Sequence, residues 1–207
     1  MKRIILLFAW ALLPMLGFAQ LRLVDEFDGS SRFEWDEIVD KKNFSVLVQS
    51  GFLEIKPLNN EEGFIYCPTK LPIVPNYDCK ITVNLRFPKL EKDSQFGLVV
   101  DLDGKTLDQY AFLMEPGLFT ACLFNDCTPL EKPRFRRTTK FKYGKDIAVE
   151  VVLERIGSKW VFSYDNIEIF EWPIREFNTP IFAFVTEVEM QVEKMIVEQA
   201  YTGEQEY

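Results

Sequence analysis

The chain has 207 residues, with 24 Lys or Arg against 32 Asp or Glu, for a formal charge of −8. That acidity excludes a general nucleic-acid binder, which needs a basic surface to displace counterions. The lack of any histidine excludes His-based triads, zincin motifs and imidazole ligands, and 19 Phe favour packed strands over a helical bundle.

Residues 1–19 have the three parts of a cleavable secretory signal. Lys2 and Arg3 supply the positive start, Ile4 to Leu13 the apolar run, and Pro14 breaks it. Gly17-Phe18-Ala19 then places small residues where a signal peptidase reads, so the predicted mature chain begins at Gln20. The apolar run is shorter than the about 20 residues of a spanning helix, and no cysteine precedes Cys67 to carry a lipid. No later stretch is apolar enough to span a bilayer. The expectation is an exported protein, in the periplasm, at the cell surface or outside the cell. Loss of Lys2 and Arg3 takes the charge to −10.

Residues 20–207 are the size of one domain, and two-residue alternation runs through them. Strands are predicted over Gly51–Lys56, Gly63–Cys67, Ile81–Phe87, Phe96–Asp101, Gln109–Glu115 and Phe119–Phe124. Ile147–Glu154, Ile181–Val185 and Met190–Gln199 continue the series. Of the 4 cysteines, Cys67 and Cys79 bracket a Pro-rich connection, while Cys122 and Cys127 flank a short hairpin tip. Three pairings are open to an exported chain, and the local pairs Cys67–Cys79 and Cys122–Cys127 are expected. The spacing is not that of a metal site.

The clearest hairpin joins Trp160–Tyr164 to Ile167–Phe170 through Asp165-Asn166, two residues that tolerate the φ > 0 of a type I′ turn. Strict alternation pairs Tyr164 with Ile167 and Phe162 with Ile169. It buries Trp160, Phe162, Tyr164, Ile167 and Ile169, and turns Phe170 and Trp172 to the opposite face. About ten strands without interspersed helices make a two-sheet antiparallel sandwich.

The order of motifs resembles concanavalin A-like lectin/glucanase domains. The stretches that carry the likeness are Asp25-Glu26-Phe27-Asp28 with Trp35, Ser50-Gly51-Phe52-Leu53-Glu54-Ile55, Asp78 to Val83, Phe96 to Asp101, Tyr110 to Met114, and the strands from Ile147 onward. The resemblance implies a jelly roll with one convex and one concave sheet, the concave face commonly meeting glycans. The family holds glycosidases, sugar-binding modules and interaction modules, so the fold does not fix the function.

Its glucanase branch carries a Glu-x-Asp-x-x-Glu strand, which this chain does not match. Glu34-Trp35-Asp36 ends on Val39, and Glu187-Val188-Glu189 on Val192. Asp101-Leu102-Asp103-Gly104 to Asp108 lacks two ligands of an EF-hand and reads as an acidic hairpin turn. No metal or other cofactor is expected.

Three features remain for binding. Trp172 could stack on a sugar ring from the face opposite the core, or lie beneath the Pro173–Pro180 connection. Asn84 and Arg86 also point away from their core face. The segment Lys132 to Lys145, with Arg134 and Arg136, reads as a basic edge strand or as a cationic groove for acidic sugars or a partner's acidic surface. The leading expectation is an exported, non-catalytic glycan-binding module that takes a polysaccharide or oligosaccharide. The alternatives are a protein-interaction or structural module of the cell envelope, and a glycoside hydrolase with a divergent carboxylate pair.

Overall fold

The structure is a computed structural model that describes residues 20–35, 39–40, 43–58, 64–75, 77–89, 94–101, 109–125, 128–129, 133, 135–139, 147–173 and 180–200. Among these, all regular structure is β: β1 Gln20–Asp25, β2 Val39–Asp40, β3 Phe44–Gln49, β4 Phe52–Pro57, β5 Ile65–Lys70, β6 Cys79–Arg86, β7 Phe96–Asp101 and β8 Gln109–Glu115. There follow β9 Leu118–Asn125, β10 Thr128–Pro129, β11 Phe135–Thr138, β12 Val149–Ile156, β13 Lys159–Tyr164, β14 Ile167–Pro173, β15 Ile181–Thr186 and β16 Met190–Ala200. The leader, Arg134, Cys127 and most of the acidic loop after Asp101 lie outside the described residues.

Every pairing is antiparallel. Sheet A runs β14-β13-β12-β6-β16-β4-β3-β2, with β1 also on β16; sheet B runs β10-β9-β8-β7-β15-β5, with β11 also on β9. The chain passes repeatedly between the sheets, so β6 and β16 lie side by side although far apart in sequence. Alternation explains the sandwich: Ile81, Val83 and Leu85 on β6 face inward against Leu98, Phe112 and Phe184 of sheet B, all fully buried.

The Asp25 motif has a structural task. Its buried carboxylate accepts from the Phe27 amide at 3.0 Å, Ser31 Oγ at 2.5 Å and the Arg32 amide at 2.8 Å. Those bonds hold a loop in which Phe27 adopts φ 52°, and the loop delivers Phe27, Phe33 and Trp35 to the core. Trp35 stacks on Phe184 with ring centroids 5.3 Å apart.

Two expectations are corrected here. The Asp165-Asn166 turn forms, with φ 45° and 63°, and pairs Tyr164 with Ile167. A β-bulge then shifts the register between Phe162 and Ser163, leaving Ile169 unpaired. Phe170 therefore lies opposite Phe162, and Trp172 opposite Trp160, on the inner face. Trp172 is 3% exposed, and its ring meets Tyr110 edge-on at 4.3 Å. Ile167, expected inside, is exposed at the end of the sheet.

Among the described residues no disulfide forms, which corrects the expected Cys67–Cys79 bridge; Cys127, the expected partner of Cys122, lies outside them. Cys67 and Cys79 are buried thiols on the inner faces of different sheets, Cys67 opposite Phe184 and Cys79 opposite Arg155 and Gln199. Cys122 is likewise a thiol.

Candidate functional site

The outer face of sheet A is polar, and β6 crosses its middle. Alternation that buries Val83 and Leu85 turns Thr82, Asn84 and Arg86 outward, as expected. The neighbouring β16 carries a bulge at Glu193, so Val192 pairs with Leu85 but Lys194 with Asn84. This extra residue changes which parity faces inward: Met190 and Val192 before it, Met195 and Val197 after it. It also sets Glu193 on the outer face, where its carboxylate pairs with Arg86 Nε.

Around that bulge the strands assemble a patch of planar polar groups. Glu54 of β4 accepts from Gln49 Nε2 at 2.7 Å and from Gln191 Nε2 at 3.3 Å. Lys56 lies 3.6 Å from Glu189, and Lys194 donates to Glu26 at 2.7 Å, which holds the Glu26 carboxyl below its usual range. Asn84 stands between Glu150 and Lys194 in the ladder. Its Oδ1 is closed to bulk water and accepts no hydrogen bond.

The outer face of sheet B differs in kind. One row across it reads Arg136, Thr120, Leu113, Gly97, Val185, Tyr66, and the next Cys122, Ala111, Val99, Ala183, Pro68. Val99, Ala111, Leu113, Cys122, Ala183 and Val185 are each at most 2% exposed. Gln109 Nε2 donates to Tyr66 Oη at 2.6 Å although β7 and β15 separate their strands. The two long side chains reach toward each other across three strand spacings of about 14 Å. At one end Gln95 joins two carboxylates: its amide N–H donates to Glu187 at 2.9 Å, and its Nε2 to Glu115 at 3.0 Å.

No family profile and no curated protein matches this sequence. Solved structures do. SCLam, a non-specific endo-β-1,3(4)-glucanase of family GH16, superposes with a TM-score of 0.60 at 11% identity over 87% of this chain and 91% of its own. A Bacillus subtilis protein of unknown function with a galectin-like fold gives 0.59 at 11% identity, covering 88% and 97%. A structure from the endo-acting O-glycanases that human gut microbiota express to initiate mucin breakdown gives 0.58 at 13%, covering 86% and 98%. The fold is a concanavalin A-like jelly roll. At these identities the likeness speaks to the fold alone.

Within this jelly roll the residues singled out from sequence do not converge. Asn84 and Arg86 share the outer face of sheet A, Trp172 belongs to the core, and Arg136 is exposed on β11 at the edge of sheet B. The basic segment supplies the edge strand that was expected. Its Phe135 stacks on Phe170 at 4.4 Å, and Arg137 Nη1 donates at 3.1 Å to the carbonyl of the bulged Ile169. Arg137 thus ties the two sheets at their margin. Glu34 offers its carbonyl to Thr69 Oγ1, and Glu187 to Glu189 form the turn before β16, so Glu34, Glu187 and Glu189 lie off the strands; Asp36 lies outside the described residues. Among the described residues, no cluster of three or more Cys, Asp or Glu could hold a metal ion, and no helix is long and apolar enough to cross a membrane.

Sequence reasoning missed Gln191, Glu193 and Glu54. The apolar spacing Met190, Val192, Met195, Val197 carried the signal for the bulge that gathers them.

Proposed function

We propose that this chain is an exported module that holds a polysaccharide or oligosaccharide without cleaving it, on the outer face of sheet A at the β16 bulge. The observation that carries the reading is the patch of amide, carboxylate and guanidinium groups that the β16 bulge gathers on this face, Gln49, Glu54, Gln191, Arg86 and Glu193, each held by a neighbour. A sugar hydroxyl donates and accepts at one atom, and planar polar side chains fixed by one another match that chemistry. Bulges recur beside binding sites because they re-aim side chains, as this one does for Glu193. Recognition without hydrolysis is supported by the sequence, in which neither acidic triplet completes the Glu-x-Asp-x-x-Glu pattern. The leader at residues 1–19 supports export.

The test is retention of the processed chain on a panel of immobilised polysaccharides, with released products measured in the same samples. Retention without products is expected, and Asn84→Ala and Arg86→Ala should each weaken it by about 1–2 kcal/mol, roughly five- to thirtyfold. Products would instead assign a glycoside hydrolase. Absence of retention on every polysaccharide would leave a cell-envelope protein as the partner to seek.

A further inference from the structure

We propose that Gln20 is a modification site: once exposed by processing, it closes on its own side chain to form pyroglutamate. The inference rests on the export reading, because it needs cleavage between Ala19 and Gln20. The structure adds what that residue meets afterwards. Gln20 is the first residue of β1 and pairs with Ala200, and the ladder continues without a break to Asp25 opposite Met195. Its side chain is exposed. Among the described residues none holds its side-chain amide by a hydrogen bond, whereas Arg22, two residues on, is tied to Glu198 at 3.0 Å.

The chemistry balances within the residue. The α-amine lone pair attacks the side-chain Cδ, a five-membered lactam C–N bond forms, and the bond from Cδ to the amide nitrogen breaks. The amine gives up a proton to the departing nitrogen, which leaves as ammonia. Nothing is oxidised or reduced, and no co-reactant is consumed. A free α-amine has a pKa of about 8, so a usable neutral fraction is present near neutrality.

The product fits the strand. Ring closure involves N, Cα, Cβ, Cγ and Cδ, while the chain leaves through the carbonyl carbon, so the extended path into Leu21 is unchanged. The lactam nitrogen retains one N–H and the Gln20 carbonyl is untouched, so the pairing with Ala200 survives. What disappears is the cationic amine that an aminopeptidase must grip. The mature chain then starts with a closed end on an ordered strand.

The experiment is peptide mapping by mass spectrometry of the full chain, exported through its own leader, together with amine labelling of the intact protein. The expected N-terminal peptide starts at residue 20, is lighter than the Gln20 peptide by one ammonia, and takes no α-amine label. Gln20→Ala should give a peptide starting at residue 20 with a free, labelled amine. A peptide starting at Gln20 that keeps its amine after prolonged incubation at neutral pH overturns the cyclisation and leaves export standing. Intact Met1 overturns the export reading and the cyclisation with it, and a processed chain whose first residue is not residue 20 overturns the cyclisation alone.

Discussion

A tryptophan shows how much one residue's facing decides. Trp172 meets Tyr110, Phe112 and Phe170 at centroid distances of 4.3, 5.9 and 5.9 Å, all close to edge-on. Such ring pairs add to the area that the indole buries. Trp172→Ala should cost about 3–5 kcal/mol of stability, read from the urea midpoint, whereas Asn84→Ala should leave that midpoint nearly unchanged. A melting curve of Trp172→Ala that overlays the parent would contradict the core position. Gly97 is the opposite case, where space is lacking. A Cβ there would overlap the Phe112 carbonyl oxygen and stand 2.9 Å from Leu113 Cα, both of them backbone atoms that cannot rotate away. Gly97→Ala should therefore lose about 1–3 kcal/mol, the scale of an overpacked interior.

At the scale of the strand, two bulges govern what could be read in advance. The sequence Ile167-Glu168-Ile169-Phe170-Glu171-Trp172 breaks strict alternation, because two apolar residues adjoin and the glutamates stand three apart. That break marks the bulge at Ile169, and reading through it with period two turned Trp172 outward. In β16 the same signal lies between Val192 and Met195. Strands without such irregularity were legible: β7 and β8 match their predicted limits to the residue. β3, Phe44 to Gln49, was missed because Val46, Leu47 and Val48 run on with no polar residue between to mark a face. Asn84 and Arg86 were legible as outward by simple alternation. Their partners come from β4 and β16, and one sequence says nothing about which distant strands will lie side by side. Deleting Glu193 tests the bulge. Strict alternation would turn either Met190 and Val192 or Met195 and Val197 out of the core, a loss of about 1.5–3 kcal/mol for each buried side chain. The deleted chain should lose its near-ultraviolet dichroism or unfold at far lower urea.

For the whole molecule, the buried thiols of Cys79 and Cys122 couple stability to pH. Cys67, Cys79 and Cys122 are thiols, so dithiothreitol should leave the melting temperature unchanged. Burial pushes the Cys79 thiol up to about 12, against a partial pull downward from Arg155. Burial likewise raises Cys122 to about 11, with Arg136 opposing it. In the unfolded chain both titrate near 9.0. Between that value and the folded values the unfolded state has released its thiol protons while the native state still holds them. Stability must then fall as pH rises. The contribution of both thiols is intact below pH of about 9, declines by about 1.4 kcal/mol per thiol per pH unit above it, and levels off once the native thiols ionise. Urea midpoints from pH of about 8 to about 10.5 should show this decline. Lysines and tyrosines also titrate there, so the double variant Cys79→Ala, Cys122→Ala isolates the effect: its midpoint starts lower but falls less steeply. Parallel lines for parent and variant would show that the two thiols are not held protonated by burial.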